Sequence, residues 1–206
     1  MTDSVKLSVI YYSATGTVTE LARTLADESE KAGAEVRLRK VAELAPDAAV
    51  NAKPAWRANL DATEDIPLAD PEDVVWADAV LLGTPTRWGN VSAQLKMFIE
   101  SLAPYWAPGA LQDKVYSGFT ASSTPHGGQE STLLALYNSI HHIGGVVVSP
   151  GYTDPSKHVD GNPYGTSHVS ARGKNPVDDI ARKAAQVQAK RVVTMARALR
   201  DGLTLA

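Results

Sequence analysis

Apolar residues recur along the chain with two periods, and the switches between them mark out its elements. Lys6 to Tyr12 is an apolar, β-prone run that breaks at Ser13-Ala14-Thr15-Gly16-Thr17. Helical spacing follows at once, with Val18, Leu21, Ala22, Leu25 and Ala26 on one face. Thr17 and Glu20 have the spacing of a capping box, which starts the predicted helix there. Glu35 to Lys40 alternates Val36 and Leu38 against Arg37 and Arg39, so a second strand with one exposed face is expected. Residues 41–76 are a long connection containing Pro46, Pro54, Pro67 and Pro71, read as carrying one short helix. A connection of that length is usually functional or an oligomer contact. Ala77 to Thr84 is nearly all apolar, the pattern of a central parallel strand.

The second half alternates in the same way. After Pro85-Thr86-Arg87-Trp88-Gly89-Asn90-Val91, helical spacing resumes at Leu95, Phe98, Ile99 and Leu102. Pro104 to Gly109 reads as a short aromatic loop containing Trp106. Lys114 to Ala121 is a fourth strand, followed by a loop from Ser122 to Glu130. The next helix buries Leu133, Leu136, Tyr137 and Ile140 and ends at His141, His142 and Gly144. Val146 to Val148 is the fifth strand, and 151–175, rich in Gly, Pro, His and Ser, reads as loop. For the last helix Asn175 is the expected cap and Pro176 the first position, with Asp178 and Asp179 in the first turn. Its expected end is at Arg197, Arg200 and Gly202.

Strands alternating with helices predict one doubly wound α/β domain over residues 1–206. In such sheets ligands bind outside the carboxyl ends of the strands, where 13–18, 85–91 and 122–130 lie. All three loops are polar and can converge on one cleft.

Composition narrows the chemistry. The chain has 206 residues, 44% hydrophobic and 21% charged, which is globular and marginal for two domains. A net charge of −3 with scattered basic residues gives no footing for nucleic acid. The absence of cysteine excludes disulfides, thiolate metal sites and cysteine nucleophiles. Asp3 and Lys6 precede a run of only strand length, unlike a signal peptide, and no run approaches the ~20 apolar residues of a membrane span. A cytoplasmic protein is the expectation.

The first loop joins a strand to a helix start, so its N–H groups and the helix dipole point at one spot. Ser13, Thr15 and Thr17 add hydroxyls without positive charge, a set suited to a phosphate monoester. No lysine is present for a Walker A loop, and Gly16 alone does not make GxGxxG. Ser122, Ser123 and His126 lack a GxSxG elbow, which disfavours a serine hydrolase. Adjacent His141 and His142 point about 100° apart on a helix, so no metal site is expected.

Taken together, Tyr11-Tyr12-Ser13, Gly83-Thr84-Pro85-Thr86-Arg87-Trp88-Gly89-Asn90, Gly109-Ala110-Leu111, Gly128-Gln129-Glu130 and Pro163-Tyr164-Gly165 resemble the WrbA-type family of flavodoxin-like NAD(P)H:quinone oxidoreductases. The resemblance implies a three-layer flavodoxin-like fold, a five-stranded parallel sheet of order 2-1-3-4-5 with helices on both faces. It implies non-covalent FMN, NAD(P)H as co-substrate, two-electron reduction of a quinone, and a homotetramer; a flat nicotinamide and a flat quinone cannot share one slot, so a ping-pong cycle is expected. By the same resemblance Ser13, Ala14, Thr15, Gly16, Thr17 and Val18 hold the phosphate, while Pro85, Thr86, Arg87, Trp88 and Gly89 flank the isoalloxazine. Ser122, Ser123, Thr124, Pro125, His126 and Gly127 line its other edge, His142 lies near the flavin, and Trp106 stands over the substrate space. The family usually has Tyr and His where this chain has Thr15 and Thr17, and a more glycine-rich third loop where it has Pro125 and His126. The other readings are a flavodoxin-type electron carrier without its own substrate and a regulatory or scaffolding protein. The mild charge and the extra loops at 41–76 and 151–175 favour the enzyme.

Overall fold

The computed structural model describes residues 4–204, so Asp3 lies outside the described residues. The apolar run near the amino end forms β1 (Val5–Tyr11) at the middle of the sheet. It pairs in parallel with β2 (Ala34–Lys40) on one side and β3 (Ala79–Pro85) on the other. Beyond β3 lies β4 (Val115–Ser122), also parallel. Its two halves have different outer partners. Val115 and Tyr116 pair with β5 (Val146–Val147), whereas Phe119 to Ser122 pair with β6 (Thr166–Val169). The order 2-1-3-4-5 is therefore present, with a sixth strand added because an insertion divides the outer edge in two.

Alternation along β1 and β3 sends side chains to opposite faces. Val9 and Leu81 pack with Val18, Leu21 and Leu25 of α1 (Thr17–Lys31). On the other face Ile10, Val80 and Leu82 pack beneath Leu95 and Phe98 of α5 (Ala93–Ser101) and Leu133 and Leu136 of α7 (Gln129–His142). Helix α9 (Asp179–Thr204) joins α1 on the first face, burying Ala181, Ala185, Ala189, Val192 and Val193.

Several local expectations are corrected. The 41–76 connection holds three short helices, α2 (Asp47–Asn51), α3 (Pro54–Asp61) and α4 (Pro71–Trp76). The last of them meets the arginines of β2, which do not face water freely. Buried Asp73 accepts from Arg37 and Arg39, each at 3.1 Å, and Arg37 lies 3.9 Å from the Trp76 ring centre. The aromatic loop is partly helical as α6 (Ala103–Trp106). Residues 151–175 contain α8 (Lys157–Asp160) and β6, which low apolar content hid. The last helix begins at Asp179, not Pro176. Asp178 accepts from the Ala181 N–H at 2.8 Å, while Asn175 donates to the Val169 carbonyl. That helix also runs through Gly202 to Thr204.

Candidate functional site

The carboxyl ends of β1, β3 and β4 deliver three loops to one edge of the sheet. In the first, Gly16 takes φ +97° and its N–H donates to Ser13 Oγ at 3.2 Å. A left-handed turn here lets α1 start abruptly at Thr17. The expected Thr17–Glu20 capping box does not form: Gly16 is the cap residue, no side chain caps the helix, and Glu20 pairs with Arg182 instead. The first helical N–H groups therefore keep their donor capacity for a ligand.

The second loop is a tight hairpin. Arg87 N–H donates to Asn90 O at 2.8 Å and Asn90 N–H returns to Arg87 O at 3.0 Å. Between them Trp88 has φ +56° and Gly89 φ +75°. A left-handed tryptophan is backbone strain of the kind that collects at ligand sites. Its side chain is fully exposed, at 103% relative accessibility. The loop is fixed underneath, with Thr86 Oγ1 donating to Gly127 O at 3.1 Å and receiving the Thr132 hydroxyl at 2.8 Å. In the third loop Ser122 Oγ donates to Thr124 O at 2.7 Å, and Gln129 Nε2 donates to Pro125 O at 3.0 Å. Ser170, just after β6, clamps it by donating its N–H and hydroxyl to Ser122 O.

These loops enclose a cleft of about 600 Å³. Ser13, Ala14, Thr15, Thr17 and Val18 line it from the first loop, Pro85, Thr86, Arg87 and Trp88 from the second, and Ser122, Ser123, Thr124 and Gly127 from the third. Gly16, Gly89, Pro125 and His126 belong to the loops but not to the lining. Four lining residues escaped the sequence reading: Lys53, Trp56, Ala121 and Ser170. Lys53 and Trp56 sit in the proline-bearing connection, where no periodicity points inward, and Ser170 follows the unrecognised strand.

Helix α3 reaches the cleft because its side chains are bonded to the first loop. Asn59 Nδ2 donates to Ser13 O at 2.9 Å, and its Oδ1 accepts from the Thr19 hydroxyl at 3.0 Å. Glu43 holds the other side. Its Oε2 accepts from Tyr12 Oη and Trp56 Nε1, each at 2.9 Å, and its Oε1 from Gln94 Nε2 at 3.0 Å. Burial pushes the Glu43 carboxyl up, but hydrogen bonds from the Ala45 N–H, Gln94, Tyr12 and Trp56 outweigh it and hold the group below the usual carboxylate range. The same burial, with the Glu43 charge, drives the Tyr12 phenol well above its ordinary value.

His142 and Trp106 are not in this cleft. Helix α7 leaves the end of β4 and runs back across the sheet, so its last residue lies at the opposite end from the loops. There Trp106 Nε1 donates to the His142 carbonyl at 3.1 Å, and both line a separate cavity of about 540 Å³ with Ile99, Leu102 and Leu111. That cavity is more apolar and lacks the phosphate-type donors of the loop cleft. Lys96, Asn138 and Ser139 continue it into a groove that ends at Arg87 and Trp88.

The donor set fits a flavin mononucleotide. Hydroxyls and free helix N–H groups at one end suit a phosphate monoester, and the other end offers an arginine and an aromatic wall for a planar ring. A sheet of order 2-1-3-4-5 with ligand loops at its carboxyl end defines a flavodoxin-like protein. The family model of NADPH-dependent FMN reductase matches residues 5–158, and the chain belongs to that family. It is an FMN-dependent oxidoreductase drawing electrons from NAD(P)H. It is 41% identical to an NAD(P)H dehydrogenase (quinone) of Deinococcus radiodurans, covering 95% of this chain and 97% of that one. A relative of the same description in Sinorhizobium fredii is 37% identical over 95% and 99%. Among solved structures it is similar to a WrbA-like flavodoxin protein from Agrobacterium tumefaciens, with TM-score 0.67, 25% identity and coverage of 95% and 99%. The WrbA-type resemblance of the sequence motifs thus agrees with all three comparisons.

Proposed function

We propose that this chain, folded as one domain, reduces quinones by two electrons at the expense of NAD(P)H in a ping-pong cycle. The observation that carries the reading is the loop cleft, with uncharged phosphate donors at one end and Arg87 with Trp88 at the other. Bound FMN supplies a two-electron relay between the nicotinamide and the quinone. The first loop would hold its phosphate through the hydroxyls of Ser13, Thr15 and Thr17 and the first N–H groups of α1. Arg87, whose Nη1 also donates to Thr86 O, offers positive charge where electron density builds up on reduction. Trp88 flanks the ring side of the cleft, and Thr86 and Ser122 keep the flanking loops in register. A nicotinamide and a quinone are both flat and compete for one slot, so products leave in turn.

The exposed face of α5 and α7 supports assembly, and we read the chain as a homotetramer. Met97 of α5 and Leu134 of α7 lie exposed on it, with Trp106 of α6 and Trp88 of the second loop also exposed. His142 and Trp106 sit on this side, so any role they have at a flavin is exercised at a neighbouring subunit's cleft. The test of function is steady-state oxidation of NADPH with benzoquinone and no partner protein. Turnover with parallel double-reciprocal lines is expected. FMN binding without turnover would instead indicate an electron carrier.

A further inference from the structure

Lys53 and Trp56 line the cleft although neither belongs to a loop at the end of a strand. Lys53 immediately precedes helix α3 and Trp56 lies in its first turn, and both ends of the helix are tied to the site: Asn59 to the Ser13 carbonyl, Trp56 to Glu43. Lys53 itself is exposed at the rim, with its ammonium 5.6 Å from the Trp56 ring centre. Among the described residues it makes no ion pair, whereas the other cation of the cleft, Arg87, sits at the ring end. The phosphate loop already offers hydroxyls and helix N–H groups, so the resident cofactor's phosphate needs no side-chain cation. An unpaired, exposed lysine on a fixed helix suits a phosphate that arrives and leaves.

We infer that Lys53 is a specificity-determining residue that receives a phosphate group of the incoming nicotinamide dinucleotide. The Trp56 ring faces its ammonium, and Glu43 acts as a positioning residue that fixes Trp56. This inference rests on the proposed function and adds the place where the reductant is gripped. A lysine acts here as a point charge, so the contact weakens with salt.

The test uses FMN-loaded enzyme and the variants Lys53→Ala and Lys53→Arg, with NADPH and NADH as separate reductants and FMN affinity measured on the apoprotein. Lys53→Ala should raise the reductant KM about tenfold, equivalent to one charge-assisted contact, and leave the FMN dissociation constant unchanged. Lys53→Arg should restore most of the loss, and the wild-type KM should climb with ionic strength more steeply than that of Lys53→Ala. A rise for both reductants assigns the shared pyrophosphate, and a rise for NADPH alone assigns the 2′-phosphate. An unchanged KM, or a change in FMN affinity without one in KM, overturns the inference. Wild-type protein that binds no FMN, or is not reduced by either nucleotide, overturns the proposed function instead.

Discussion

Gly16 shows how one residue sets the site. A Cβ built there meets nothing closer than Asn59 Oδ1 at 3.5 Å, an ordinary contact, so space does not demand glycine. The backbone does, because φ is +97°. An L-residue pays about 1–2 kcal/mol for a left-handed conformation, and a β-branched one more. Gly16→Val is therefore expected to weaken FMN binding at least tenfold by re-aiming the first N–H groups of α1, as fluorescence titration would show. An unchanged affinity would remove this loop from the site. Glu43 makes a second residue-scale prediction. Its carboxyl is held below its unfolded range, so its contribution is present above about pH 4.3 and is lost as pH falls through the folded value. Tryptophan emission and FMN retention should stay level from neutral pH down into the ordinary carboxylate range and change together only on further acidification. Glu43→Gln should remove that acid-dependent step, and its persistence in the variant would assign it to another carboxylate.

At the scale of elements, the strongly periodic segments were legible in the sequence and the aperiodic ones were not. The β1–loop–α1 junction, the apolar β3 and the apolar faces of α5 and α7 follow from period alone. Thirteen of the residues expected around the cofactor line the cleft, because strand-end loops of a doubly wound sheet must meet there. The rest depended on contacts between distant segments. Asn59 lies 46 residues from Ser13, and Gln94 lies 51 from Glu43. No local pattern encodes those bonds, so the sequence predicts one short helix in 41–76 without placing α3, Lys53 or Trp56 at the cleft. The sixth strand was missed for a different reason. Its four residues, Thr166-Ser167-His168-Val169, carry one aliphatic side chain and are held by pairing with β4 and by Gln188, whose Oε1 accepts from the Thr166 N–H at 2.8 Å. Asn59→Ala tests the importance of the α3 anchor. It should weaken FMN binding severalfold through the Ser13 carbonyl and the Thr19 hydroxyl while leaving the far-ultraviolet circular dichroism unchanged. Full retention of affinity would show that the first loop holds its shape unaided.

The whole molecule divides its surface by task. The loop edge carries the cleft, α1 and α9 pack their apolar faces on one side of the sheet with Glu20 paired to Arg182 between them, and the α5–α7 side exposes Met97 and Leu134. Met97, at 59% exposure, and Leu134, at 47%, lie on that face away from the cleft lining. Met97→Glu combined with Leu134→Glu should therefore lower the mass seen by light scattering without changing FMN affinity. A wild-type monomer at micromolar concentration would contradict the assembly outright. The proposed activity requires one cleft that takes electrons from a nicotinamide and hands them to a quinone without a partner protein. The most direct measurement follows the visible absorption of the FMN-loaded protein while NADPH, and then benzoquinone, is added without oxygen. NADPH alone is expected to bleach the flavin band, and benzoquinone to restore it at a rate matching steady-state turnover. A band that NADPH and NADH both leave untouched, with FMN bound, would contradict the proposed activity.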